Sequence, residues 1–298
     1  MHRNHQNILL FGASGQLGTK LKTLLTSRGV VRPLDQKDID LRDHARLRAL
    51  IHETRPALIV NAAAYTAVDA AENDAETARL VNAGAPQVMA ECARELGALL
   101  VHYSTDYVFD GTAQAPYTEG APTRPLGVYG HTKLAGETAI AESGADFLTL
   151  RTAWLYSNRG KNFLNTMLKL AAERSELRVV NDQVGCPTYA DHLAETTLQM
   201  LEGLYTDGVL RKERCGLYHV TCGGSTSWWG FAQRIVELAG YGERVRVLPI
   251  PTSEYPTPAK RPGYSVLSNA KLEATFGIHM PDWEAGLKRC LADRSRGG

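Results

Sequence analysis

The sequence predicts an α/β protein, a doubly wound parallel sheet followed by a smaller C-terminal lobe. Three observations carry this. Short apolar runs alternate with stretches of helical spacing through the first half of the chain, the rhythm of a parallel sheet covered by helices on both faces. A glycine-rich turn follows the first apolar run directly. Beyond about residue 155 the alternation loosens into longer helical pieces separated by loops rich in Gly and Pro.

Taken in order, residues 8–11 form the first predicted strand, and Gly12-Ala-Ser-Gly15-Gln-Leu-Gly18 turns it into a helix. Gly29 marks the end of that helix, residues 30–34 form the second strand, and Asp35 closes it. Asp40 is read as the cap of a helix over residues 41–54. Strands follow at 58–60, 99–103 and 147–150, with Gly97 ending the helix before the fourth. The later helical pieces are 162–174, 189–204 and 228–238. The division expected is a mainly Rossmann-type domain over 7–155 and a mainly substrate-binding lobe over 156–298, with some segments of the second returning to the first.

Composition narrows the classes. With 33 Lys plus Arg against 32 Asp plus Glu, the net charge of +1 draws the chain to neither nucleic acid nor anionic lipid. The apolar runs are too short to span a bilayer, and residues 1–7, with His2 and His5, form a polar tag and not a secretion signal. Five widely spaced cysteines without Cys-x-x-Cys fit reduced cytoplasmic thiols. No His or carboxylate spacing typical of a catalytic metal occurs.

Two constellations carry chemistry. Gly12, Gly15 and Gly18 supply a tight turn and a backbone free of Cβ atoms, with helix N-terminal amides facing a pyrophosphate, and Asp35 stands where a carboxylate meets an adenosine ribose. In Tyr129-Gly-His-Thr-Lys133, positions four apart share one helix face, so phenol and ammonium enter the same space. A cation there favours phenolate and is expected to bring the tyrosine pKa down from about 10. Ser104-Thr105-Asp106 ends the fourth strand, at the edge where open α/β sheets place ligands. Trp228-Trp229 reads as helix core, His102 as a satisfied core histidine, and His44, His52 and His131 as exposed helix residues.

These motifs resemble the extended short-chain dehydrogenases/reductases. Within them, the segments 60–69, 128–137, 151–154, 162–163, 181–188 and 255–262 are similar to the dTDP-4-dehydrorhamnose reductase family over nearly the whole chain, residues 7–291. The resemblance implies a cytoplasmic enzyme that reduces a 4-keto nucleotide sugar with NADPH or NADH. It implies Tyr129 as proton donor, Lys133 on the nicotinamide ribose, and Thr105 polarising the C4 carbonyl. Asp106 sits against the sugar and Trp154 walls its pocket. Gly15, Gln16 and Leu17 meet the pyrophosphate, Asp35, Asp40 and Leu41 the adenosine half, and Ala64, Tyr65 and Thr66 the nicotinamide side. Lys260 and Arg261 are candidates for the substrate diphosphate, with Lys37 near Asp35 as a counterweight for NADPH. Some members hold Mg²⁺ between subunits, but Thr19-Lys20 supplies no acid here, and both the metal and the choice of monomer or homodimer stay open. The alternatives are a nucleotide-sugar 4,6-dehydratase or epimerase, disfavoured because Tyr107 follows Asp106 where a dehydratase carries a second acid, and a non-catalytic binding subunit resembling that of methionine adenosyltransferase.

Overall fold

The computed structural model describes residues 6–296; the N-terminal His2 and His5 lie outside the described residues. Eight strands matter here: β1 (Gln6–Phe11), β2 (Gly29–Leu34), β3 (Leu58–Asn61), β4 (Leu99–Thr105), β5 (Asp146–Thr152), β6 (Glu176–Val180), β7 (Gly216–His219) and β8 (Arg246–Ile250). Six form one parallel sheet in the order β7-β5-β4-β3-β1-β2, and β6 pairs with β8 in a small parallel sheet of the lobe.

The helices that position the site are α1 (Gly18–Leu24), α2 (His44–Thr54), α3 (Ala85–Leu96), α4 (Val128–Glu142), α5 (Phe163–Glu173), α6 (Ala190–Gly203), α7 (Trp228–Leu238) and α8 (Trp283–Arg296). Strand periodicity sorts the core into two layers. Ile8 and Leu10 of β1 face a cluster with Leu21 of α1 and Leu193, Met200 and Leu201 of α6. Leu9 and Phe11 face the other way, onto Leu47 and Ile51 of α2, Met89 of α3 and Ile140 of α4. A third cluster, with Leu164, Met167, Phe231, Ile235 and Leu287, is the core of the lobe.

Two pieces from beyond residue 155 therefore belong to the main sheet: α6 covers one face and β7 extends the edge beside β5. Gly97 ends α3 in the left-handed conformation, at φ 67°. Two local readings change. Asp43, not Asp40, caps α2 by accepting from the Arg46 N–H at 2.9 Å, because Asp40 is drawn onto Arg42. Gly29 opens β2, and the preceding helix ends by a 3₁₀ turn at Leu25–Ser27.

Candidate active site

The glycine turn is shaped by contacts that exclude side chains. Gly12, at φ +76°, donates to Leu34 O at 2.8 Å, which fastens the turn to the end of β2. A Cβ on Gly12 would lie 2.8 Å from the Ala62 backbone, and one on Gly18 would lie 2.0 Å from Gly12 O. Ser14 then presents both N–H and Oγ–H to Asp35 Oδ1, at 2.9 and 2.8 Å. Gly12, Asp35, Asp40, Leu41, Ala64 and Tyr65 line a cavity of about 280 Å³. Thr66 is exposed beside it, and Arg42, not Lys37, is the cation in its wall.

Leu17 caps α1 and buries its side chain in the core, leaving only its backbone for the groove. Gln16 ties the turn to the lobe, its Oε1 accepting from Ser157 Oγ at 3.1 Å and Asn162 Nδ2 at 2.8 Å. Together with Gly15, Thr19, Lys20 and Arg159 it forms a second, polar hollow.

At the carboxyl end of β4, Thr105 Oγ1 donates to Asp106 Oδ1 at 3.0 Å and accepts from the Tyr107 N–H at 3.2 Å. Burial pushes the Asp106 carboxyl up to about 6, against the pull of the Ser265 and Thr105 hydroxyls. Tyr129 sits in the first turn of α4, its ring edge-on to Tyr107 with centroids 5.5 Å apart. Its phenol does not behave as the spacing alone predicts: burial pushes it up to about 12, the Thr105 hydroxyl pulls it back, and Asp106 pushes it further. The reason is where Lys133 points. Its Nζ donates to Tyr103 O at 2.7 Å and lies 3.1 Å from His102 Nε2, so the nitrogen is committed to β4 and not to the phenol. A phenol that keeps its proton at neutral pH is suited to donate it.

Behind these groups lies a buried ion pair that sequence reasoning missed. Arg151 of β5 grips Glu137 of α4 with Nε and Nη2 at 2.9 and 2.6 Å, and His219 of β7 stands 3.4 Å from its other nitrogen. The signal available was an arginine directly after the largely apolar residues 147–150 of a strand. His102 is buried as expected, but its partners, Asn61 and Lys133, make it part of the site. His131 is exposed, whereas His44 and His52 are half-buried on Leu80 O and Glu95.

On the lobe side, Trp154 adopts φ +47° and stacks on Trp228 at 3.5 Å. Gly185 is required beneath it, since a Cβ there would lie 2.5 Å from the indole. Trp228 and Trp229 pack against the lobe core as expected, and Trp228 also offers a stacking face and lines a cavity of about 680 Å³ with Phe163, Met167, Val179, Tyr255 and Arg261. Arg261 enters that cavity already paired with Asp69 at 2.8 Å, while Lys260 is exposed outside it. Among the described residues, no cluster of three or more His, Cys, Asp or Glu side chains could hold a metal. Lys20 bridges Asp191 and Glu195, at 2.9 and 3.5 Å. The five cysteines are free, and no described helix is long and apolar enough to cross a membrane.

A six-stranded parallel sheet, a glycine turn after β1, a threonine at the end of β4 and a Tyr-x-x-x-Lys pair on α4 define an extended short-chain dehydrogenase/reductase. Residues 6–296 match the family model described as RmlD substrate binding domain. The chain is 47% identical to a dTDP-4-dehydrorhamnose reductase of Burkholderia thailandensis, across 96% of this chain and 98% of that one. The crystal structure of a dTDP-4-dehydrorhamnose reductase from Clostridium acetobutylicum superposes with a TM-score of 0.90 at 39% identity, covering 97% and 99% of the two chains. One from Bacillus anthracis, in complex with NADP, gives 0.89 at 36% identity, with the same coverage. The chain belongs to the dTDP-4-dehydrorhamnose reductase family.

Proposed function

We propose that the groove along the carboxyl edge of the main sheet holds NADPH or NADH, and that the cavity beneath Trp228 receives the nucleotide sugar. The reaction is that of the family, reduction of the C4 keto group of dTDP-4-dehydro-L-rhamnose, the final step of dTDP-L-rhamnose synthesis. The single observation that supports the residue assignment is that Tyr107, whose N–H donates to the Thr105 hydroxyl, packs edge-on against the Tyr129 ring, which sets threonine and phenol side by side at the end of β4.

The residues fit a dinucleotide. Gly12 and Gly18 leave no room for a Cβ, and Asp35, held by two bonds from Ser14, offers a carboxylate to a ribose in the first cavity. Arg42 in the same wall, its charge shared with Asp40, is the cation available to a 2′-phosphate opposite Asp35, and on that basis both cofactors are accepted. Gly15, Gln16 and the Leu17 backbone take the pyrophosphate, Ala64, Tyr65 and Thr66 border the nicotinamide half, and Lys133 takes the ribose. When bound, the reduced cofactor supplies the hydride.

The chain's own residues do the rest. Tyr129 gives its phenolic proton to the C4 oxygen, and Thr105 turns its hydroxyl from Asp106 to donate a hydrogen bond to the same atom, which lowers the cost of charge developing there. Asp106 orients the sugar ring, and the stacked Trp154 and Trp228 wall its pocket. Arg261 meets the diphosphate with its charge partly answered by Asp69. Following NAD(P)H oxidation with freshly generated 4-keto-6-deoxy sugar nucleotide tests this. Tyr129→Phe is expected to lose about 10²- to 10⁴-fold in kcat while binding cofactor almost unchanged. A Phe variant that keeps most of its kcat removes Tyr129 from the mechanism.

A further inference from the structure

Lys133 stands at the end of a polar chain in which every hydrogen bond runs the same way. Asn61 of β3 and His102 of β4 are register partners. The Ala63 N–H donates to Asn61 Oδ1 at 3.2 Å, which turns Asn61 Nδ2 toward His102 Nδ1 at 3.0 Å. The imidazole is neutral, because its complete burial pushes its pKa well down. With Nδ1 accepting, its single proton lies on Nε2. Nε2 is 3.1 Å from Lys133 Nζ, and Nζ in turn donates to Tyr103 O at 2.7 Å. An imidazole N–H aimed at Nζ needs a lone pair there. An amine has one and an ammonium does not. Turning the Asn61 amide over only moves the conflict, since its NH₂ then meets the Ala63 N–H.

The surrounding charges do not relieve it. Glu137, one turn along α4, is gripped by Arg151 of β5, which His219 of β7 backs, so that pair is neutral by itself and a charged Lys133 is unbalanced. Asp106, buried, accepts from Thr105, and Tyr129 stands on the far side of that pair against Tyr107. Glu72 is occupied by the Val128 N–H at the start of α4. Burial pushes the Lys133 ammonium down to about 8 despite Glu137, in the direction the proton count requires.

We propose that Asn61 and His102 are positioning residues that favour the amine form of Lys133 in the free protein, and that Lys133 takes up a solvent proton when ribose hydroxyls arrive to accept from it. The charge then appears beside Tyr129 only once the site is loaded and Nζ has turned from His102 Nε2 toward the ribose. The second half rests on the assignment of Lys133 to the cofactor ribose; the first does not.

The test is an NMR titration of protein carrying ε-¹³C-lysine, with the Lys133 signal identified by its loss in Lys133→Met. In the wild type its midpoint is expected at least about one pH unit below that of ordinary lysine. His102→Gln, whose side-chain carbonyl accepts from an ammonium without adding charge, is expected to raise the midpoint by about one unit or more. Asn61→Asp reverses the chain, since a carboxylate accepts from both Ala63 and His102 and frees Nε2 to accept; it should raise the midpoint further. A wild-type midpoint at the ordinary lysine value overturns the proposal, whether or not either variant folds. So does an unchanged midpoint in folded His102→Gln. Adding NADPH at about pH 9 is expected to move the wild-type signal to the ammonium position, with proton uptake seen as buffer-dependent binding heat. A low-titrating Lys133 that NADPH leaves unmoved overturns the uptake and the ribose assignment together, while the role of Asn61 and His102 stands.

Discussion

Replacing Asp106 by asparagine removes a charge and keeps the shape. The residue is 1% exposed, and burial raises its pKa from the ordinary 3.8 to about 6. A carboxyl whose folded-state value is raised contributes stability that is fully present below its unfolded pKa and lost as pH rises through its folded one, here from about 3.8 to about 6. A separation of about two units corresponds to about 3 kcal/mol withheld from the native state at pH 8, of which about 1.4 kcal/mol goes between pH 5 and pH 8. Asparagine keeps an oxygen for the Thr105 hydroxyl and does not titrate. Urea unfolding at those two pH values should therefore show the variant gaining about 1.4 kcal/mol on the wild type as pH rises. Activity should move the other way, with kcat/KM falling about 10-fold or more as a charge-assisted bond to the sugar is lost. An advantage that is equal at both pH values refutes the reasoning, because the carboxyl is then not forced to ionise inside the fold.

Asp35→Ala should shift the kcat/KM ratio toward NADPH and Arg42→Ala toward NADH, each by about 10-fold, one charge contact having been removed; a ratio unmoved in both places the adenosine ribose elsewhere. Gly185→Ala should drive a methyl group against Trp154, whose indole would lie 2.5 Å away. A cost of about 1–3 kcal/mol in denaturant unfolding is expected, with a raised KM for the sugar nucleotide, and an unchanged KM would detach the Trp154–Trp228 stack from substrate binding.

The parts of the fold set by exclusion and periodicity were legible. The glycine turn could be read because a Cβ at Gly12 or Gly18 meets backbone, a constraint that leaves its mark at fixed spacing. The central strands β3 and β4 could be read because both of their faces are buried, which makes residues 58–60 and 99–101 apolar runs, whereas β2, at the sheet edge and half exposed, was read from its branched residues Val30 and Val31. β7 was missed because it is four residues long, opens with glycine and ends in the polar His219, whose partners come from elsewhere in the chain. Spacing put Tyr129 and Lys133 on one helix face, but it carried no information on which acceptors Nζ would find. Tyr103 O and His102 lie about thirty residues upstream and meet it only because β4 packs beneath α4. The same holds for Arg261, whose partner Asp69 is 192 positions away, and for Trp228, which stacks on Trp154 from a distant part of the chain. Arg42 was passed over for Lys37 because sequence distance from Asp35 says nothing of which side chain turns into the cavity.

The central claim is that this chain delivers one hydride to C4 of a keto sugar while Tyr129 protonates the oxygen, and that it removes no water. The direct measurement uses NADPH deuterated at the transferring position with dTDP-4-dehydro-L-rhamnose, read by mass spectrometry and NMR of the product. Deuterium at sugar C4, one cofactor oxidised per sugar and dTDP-glucose left untouched are the expected results. Turnover of dTDP-glucose without net cofactor oxidation would contradict the account in favour of a dehydratase, and tight cofactor binding with neither sugar consumed would contradict it in favour of a binding subunit.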